Sequence, residues 1–274
     1  MMQSVNLIKS YPRHGYHLVD PSPWPFTGSI SALLSVVGAV MYFHGYKIGH
    51  YFLFLGFLLL ISVFFFWWKD IVKEATYEGY HTSVVQKGLR FGVILFIISE
   101  VFFFVAFFWS FFHNSVSPNI EIGNIWPPKG ILVFNPWKVP FLNTMILLLS
   151  ACSITWTHHS LIFGNRLQVI YSFIITIFLA FLFTFFQIFE YSEAFFCFSD
   201  GIYGSIFYMA TGFHGFHVFL GTIFILVCNV RFINYHFTKQ HHFGIEAAIW
   251  YWHFVDVIWL FLFIVVYWWG GVFL

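Results

Sequence analysis

The sequence predicts an all-α protein, a polytopic membrane bundle of seven transmembrane helices. Three observations carry that prediction. Of 274 residues, 60% are apolar and 8% charged, whereas about a quarter of the residues in soluble domains carry charge. Stretches with little or no charge, each long enough to cross about 30 Å of hydrocarbon, recur seven times. The basic residues then divide unevenly between the two faces that alternate along such a chain.

The whole chain, 1–274, reads as a single integral membrane domain with spans near 25–43, 51–68, 88–113, 140–163, 168–190, 202–231 and 245–269. An odd number of crossings sends the two ends to opposite compartments. Before span one lie Lys9 and Arg13. Between spans two and three lie Lys69, Lys73, Lys87 and Arg90, then Arg166 follows span four, and Arg231 and Lys239 follow span six. The other face holds only Lys47, Lys129 and Lys138. That asymmetry places the N-terminus inside, on the cytoplasmic or matrix side. Trp67, Trp68, Trp109, Trp126, Trp137, Trp268 and Trp269 fall at span ends, as an interfacial belt requires. The longest connection, 114–140, carries five prolines, of which Pro127, Pro128 and Pro136 exclude a continuous helix and predict an ordered cap on the less basic face.

Several function classes are excluded early. A formal charge of +1 gives no electrostatic footprint for nucleic acid. Cys152, Cys197 and Cys228 stand apart in apolar surroundings, without metal-site or disulfide spacing, and read as packing residues. The opening MMQSVNLIKSYPRHGYHLVD shows no apolar core or cleavage site of a signal peptide, which is expected of a protein made in the compartment its N-terminus faces.

Candidate functional residues are the acids at membrane depth. Glu100 is the sole formal charge between Arg90 and His113, and its helical neighbours Val93, Phe96, Ile97, Phe103, Phe104 and Phe107 are all apolar. Its partner must therefore come from another helix, water, lipid or another subunit, unless the carboxyl stays protonated. Either it fixes packing or it couples the chain to proton or oxygen traffic next door. Asp256 has His253 one turn back and Trp252 and Trp259 nearby as N–H donors, which predicts a structural hydrogen bond or a His–Asp pair in preference to a proton relay. Glu246, close to the start of the last span, suits a helix N-terminus. His158, His159, His214, His217 and His253 are expected to bond between helices, with Gly212, Gly215 and Gly221 permitting close approach. A haem reading needs same-helix histidines about 13 or 14 apart for two stacked haems, which the sequence lacks; a single haem between His217 and His253 stays open. The segment 67–90 gathers Lys69, Lys73, Lys87, Arg90, Trp67, Trp68 and His81 at an interface. Cations there satisfy simple topology or attract anionic head groups at about 1 kcal/mol each.

HLVDPSPWP at 17–25, QKGLRFGVILFIISEVFFF at 86–104, WPPKGI at 126–131, SITWTHHSL at 153–161, SDGIYGSIFYMATGFHGFHVFLG at 199–221 and HHFGIEAAIWYWHFVDVIWLFLF at 241–263 resemble, in order, the subunit III family of cytochrome c oxidase in its mitochondrial form. The resemblance implies a core subunit of the terminal respiratory oxidase with no catalytic residue, cofactor or metal of its own. Haem and copper are expected in partner subunits I and II, and accessory subunits are expected around them. It also implies two helices set against five around a lipid-filled cleft. Trp67, Trp68, Glu74, His81 and Arg231 match the phospholipid-binding surface, Lys73 joins them as a head-group cation, and Glu100 in ISEVFFF matches an acid facing subunit I. The expected location is the mitochondrial inner membrane, with the N-terminus in the matrix and the C-terminus in the intermembrane space. The expected work is to stabilise subunit I, bind phospholipid and support proton uptake. The alternative is a self-sufficient cytochrome or a proton-coupled transporter using Glu100 and Asp256, although neither broken helices nor internal pseudo-symmetry is visible.

Overall fold

The computed structural model describes residues 14–271; Lys9 and Arg13 lie outside the described residues. Seven helices long and apolar enough to cross a membrane follow one another, and the described residues contain no strand. They are α1 (Trp24–Phe43), α2 (Gly49–Thr76), α3 (Ser83–Val116), α4 (Val139–Phe163), α5 (Arg166–Ser192), α6 (Gly201–Ile233) and α7 (Phe243–Leu262). α7 runs on as a wider, π-type coil over Phe263–Trp269, closed by Gly270 N–H donating to Val265 O at 2.9 Å.

Every predicted span has its helix, and the helices outrun the spans where good helix formers carry them into the head-group region. α3, with 34 residues, is about 51 Å long at 1.5 Å per residue, well beyond about 30 Å of hydrocarbon. The interfacial segment 67–90 is therefore mostly helix, and only 77–82 connect α2 to α3. At the other extreme α4 and α5 are joined by two residues. Gly164 takes φ +84° to end α4, and Asn165 caps α5 by accepting from Gln168 N–H.

The chain divides into two compact units, 1–89 and 90–274. In the first, α1 and α2 pack face to face through glycine. A Cβ on Gly38 would meet the backbone of Leu53, and one on Gly56 would lie 2.6 Å from the backbone nitrogen of Ser35. Trp24 Nε1–H donates to Asp70 Oδ2 at 2.6 Å, tying the start of α1 to the end of α2.

In the second unit α7 is the axis: most of its side chains are buried, among them Trp252, Val255 and Trp259, whereas α3 buries few, Phe104 and Phe111 among them. Lipid offers no hydrophobic drive for helices to associate, so packing and interhelical hydrogen bonds must hold them. Trp252 Nε1–H donates to Ser150 Oγ at 2.9 Å and Trp259 Nε1–H to Thr144 Oγ1 at 3.0 Å, joining α7 to α4. Ser153 with Thr176 at 2.7 Å and Thr157 with Ser172 at 2.8 Å join α4 to α5. Tyr191 with Thr211 at 2.7 Å joins α5 to α6. The proline-rich connection is the ordered cap its sequence predicts, with Trp126 edge-on to Phe111 and Phe134 against Phe196 and Phe207. Trp126 is thereby a packing residue, while Trp67, Trp68, Trp109, Trp137, Trp268 and Trp269 stay exposed, as a belt requires.

Candidate functional site

Glu100 finds its partner on another helix. α3 carries the carboxyl and α6 carries His217, whose Nε2 lies 2.9 Å from Glu100 Oε2. The other ring nitrogen, Nδ1, is 2.7 Å from the carbonyl oxygen of Phe213 one turn earlier. A carbonyl only accepts, so Nδ1 carries a hydrogen. One further proton then joins Nε2 to Oε2, and the pair is acid with imidazole or carboxylate with imidazolium. In both forms its net charge is zero, which is how a carboxyl survives at this depth.

The surroundings are aromatic. Phe104 lies edge-on to His217 at 5.0 Å, Phe254 at 6.1 Å, and Tyr251 stacks at 6.4 Å between ring centres. His217 keeps 8% of its side-chain surface exposed and Glu100 keeps 24%. The imidazole is sealed, whereas the acid still opens onto the apolar outer face of α3.

The other sequence-predicted residues divide. His214 bonds to Val255 O at 3.2 Å and His253 Nε2 to Thr155 Oγ1 at 3.3 Å, both between helices as expected. His158 and His159 make no side-chain hydrogen bond among the described residues; His158 instead lies edge-on to the ring of His242 at 5.6 Å. Gly221 does allow close approach, since a Cβ there would sit 2.9 Å from Trp252, but Gly212 and Gly215 face open space. Of the hydrogen bond or His–Asp pair expected for Asp256, only the pairing with His253 is found. His253 Nδ1 lies 3.8 Å away, both indole N–H groups point to α4, and neither buried carboxyl oxygen has a hydrogen-bond partner among the described residues. Cys228 is buried, with Sγ 3.4 Å from Gly244 O, but Cys152 and Cys197 are exposed and are not packing residues. His217 commits both nitrogens to Phe213 and Glu100, so in this conformation it has none to give a haem iron.

Glu246 sits in the first turn of α7, where the macrodipole favours it. It also receives a two-pronged bond from Arg90, Nε to Oε2 at 2.8 Å and Nη2 to Oε1 at 3.2 Å. Sequence reasoning missed that pair, and it missed Glu190, which is buried on α5 and accepts from Tyr267 O–H at 2.6 Å. Glu190 lies at the end of its span, and no local signal separates it from an interfacial acid.

Of the residues matched to a lipid surface, five lie in the first unit and Arg231 in the second. Trp67 and Trp68 are exposed near the end of α2. Lys73 pairs with Glu78 at 3.1 Å, and Glu74 is half-buried. The carbonyl of His81 accepts from Gln86 Nε2 at 3.0 Å. At the end of α6, the Arg231 guanidinium lies 4.4 Å over the ring of Phe237.

Seven helices long and apolar enough to cross a membrane, with an acid–imidazole pair joining two of them, define a polytopic membrane protein. The family model described as "Cytochrome c oxidase subunit III" matches residues 14–271. Cytochrome c oxidase subunit 3 of Chondrus crispus is 62% identical over 265 residues, covering 97% of each chain. The Marchantia polymorpha protein of the same name is 59% identical, over 94% of this chain and 98% of its own. That of Arabidopsis thaliana is 57% identical, over 95% and 98%. The chain belongs to the cytochrome c oxidase subunit III family, and so to a multi-subunit respiratory oxidase as one of its membrane-spanning components.

Proposed function

We propose that the chain serves the oxidase without a redox centre of its own: it stabilises subunit I, holds phospholipid against the complex and supports proton uptake, while subunits I and II carry haem and copper. The observation that best supports this is the Glu100–His217 pair. At 2.9 Å the two groups are placed to share one proton, which leaves the pair without net charge, and the acid keeps an opening onto α3, most of whose apolar side chains stay exposed within the chain. A face of that kind suits a partner subunit or lipid, and a proton presented there influences the partner's charge without any chemistry in this chain.

The location is the mitochondrial inner membrane, with the N-terminus in the matrix. Lys69, Lys73, Lys87, Arg90, Arg166, Arg231 and Lys239 all fall on one face of seven alternating helices, which supports that orientation. Anionic phospholipid meets Trp67, Trp68, Lys73, Glu74 and His81 at one interfacial position and Arg231 at another. Indole rings suit the head-group level, and each cation adds about 1 kcal/mol of attraction.

The test is purification of the oxidase from strains carrying Glu100→Gln, Lys73→Gln or Arg231→Gln. Glu100→Gln should keep the haem spectrum of the wild type and slow proton uptake during turnover; loss of haem would contradict a supporting role. Lys73→Gln and Arg231→Gln should lower the anionic phospholipid retained by the complex. Unchanged lipid in both variants would remove the lipid assignment.

A further inference from the structure

At the basic-side end of the second unit, three side chains from separate positions bring ligand atoms together. His158 comes from the last turns of α4, His242 immediately precedes α7, and Glu246 lies in its first turn. One ring nitrogen of each histidine and one carboxylate oxygen all lie within 4.8 Å of one another. His242 Nε2 is 3.4 Å from Glu246 Oε1.

The tautomer of His242 is fixed in the same way as that of His217, but here a second imidazole, that of His158, stands beside the pair. The Nδ1 of His242 lies 3.1 Å from the carbonyl oxygen of Thr238, which only accepts, so Nδ1 carries the hydrogen. In the neutral ring Nε2 is then a lone pair facing a carboxylate oxygen, two acceptors in opposition. A donor or cation shared between them, whether a proton, a water giving one hydrogen to each, or a metal ion, turns that opposition into attraction; the nearby third ligand, His158, favours the metal ion. An Nδ1–H held by a backbone carbonyl is also the usual outer support of a metal-bound imidazole.

The spacing suits a small divalent ion. Zinc bonds to nitrogen and oxygen at about 2.0–2.1 Å, so neighbouring ligands of a tetrahedral site stand about 3.3–3.4 Å apart. The 3.4 Å between His242 Nε2 and Glu246 Oε1 matches that edge. The half-buried His158 supplies the third corner, with its ring edge-on to that of His242. Arg90 does not block the site. Its shorter bond is to Oε2 at 2.8 Å, while its contact with Oε1 is 3.2 Å. A carboxylate offers about four lone-pair positions, so Oε1 can face an ion while Arg90 orients the group from behind. Two imidazoles and a carboxylate form a borderline donor set that suits zinc better than calcium or magnesium, which prefer all-oxygen shells.

We propose that His158, His242 and Glu246 form a zinc site that clamps the end of α4 to the start of α7 and, through Arg90, to α3. The ion needs no redox change, and its fourth position remains for water.

The experiment uses the whole oxidase complex, stripped of loosely held metal with a chelator, incubated with zinc chloride and desalted. Zinc per complex is measured by mass spectrometry for the wild type and for His158→Ala and His242→Ala. The wild type should retain about one zinc more than either variant, and each variant should bind that zinc at least tenfold more weakly. The zinc X-ray absorption difference between wild type and variant should show a nitrogen and oxygen shell at about 2.0–2.1 Å with imidazole scattering. Equal zinc in wild type and either variant overturns the proposal, and so does a difference shell without imidazole; a proton or a water in place of the metal gives the first result. Subunit content and haem spectrum show whether each variant assembles. His158→Gln replaces any that does not, because it keeps polarity and volume but offers no imidazole to the metal.

Discussion

Glu100 and His217 show how one residue's placement decides whether a membrane charge is tolerable. Because Nδ1 of His217 is committed to Phe213, its Nε2 needs a partner that shares a proton with it. Glu100→Gln can still supply one, by donating its amide hydrogen to Nε2. Glu100→Ala cannot, and a buried polar atom left without a partner costs about 1–3 kcal/mol. The expected outcome is a lower melting temperature for Glu100→Ala than for Glu100→Gln, measured on the purified complex. Combining Glu100→Ala with His217→Ala should recover part of that loss, and a purely additive double variant would show that the two residues do not interact. The depth of Glu100 was legible because one charge among phenylalanines stands out. Its partner was not, since hydrogen bonds between helices leave no periodic mark. Asp256 shows the reverse. Its local neighbours predicted a hydrogen bond or a His–Asp pair; the pair with His253 forms at 3.8 Å, but the indoles of Trp252 and Trp259 turn to α4 and leave the carboxyl without a hydrogen bond.

At the level of elements, contact distance between helices is set by what lies on the facing stripe. A Cβ on Gly221 would press on the ring of Trp252, whereas one on Gly212 meets nothing within the chain. Gly221→Ala should therefore destabilise the second unit by about 1–3 kcal/mol through overpacking. Gly212→Ala should be neutral or stabilising by up to about 1 kcal/mol from helix propensity. Thermal denaturation of the two complexes side by side separates these outcomes, and equal shifts would mean that Gly221 is not a contact point. The connection 234–242 between α6 and α7 carries His236, whose imidazole is held below its ordinary range first by burial and then by the nearby Arg231 charge. Folding here favours the neutral ring. The contribution of His236 to stability is present above the ordinary value of about 6.5 and is lost as pH falls through the lower folded value. Amide protection in this connection, measured as the exchange rate relative to the intrinsic rate at each pH, should fall on acidification below about pH 6.5, and His236→Gln should flatten that response.

For the whole molecule, seven alternating helices make sidedness a single choice. If the N-terminus is in the matrix, the proline-rich connection 117–138 faces the intermembrane space and 234–242 faces the matrix. A membrane-impermeant maleimide applied to intact mitoplasts should label Lys129→Cys and leave Lys239→Cys untouched, with the reverse in inverted vesicles. Both variants are best made in a background with Cys197→Ser, because that thiol is exposed in the loop after α5. Labelling of Lys239→Cys in intact mitoplasts would invert the orientation. The division into 1–89 and 90–274 matches the two-plus-five grouping of helices expected from the family resemblance.

Composition and spacing alone determined that this chain lives in a bilayer, that it crosses seven times, and which acids stand at depth. Each of those properties follows from the cost of moving a residue or a backbone group from water into hydrocarbon, a cost that depends on the local stretch of chain. The tertiary structure decided what those residues touch: His217 for Glu100, Arg90 for Glu246, Tyr267 for Glu190, and the convergence of His158 with His242 and Glu246. Such pairings join segments far apart in sequence, and they are selected by helix rotation and close packing, which local hydropathy does not encode.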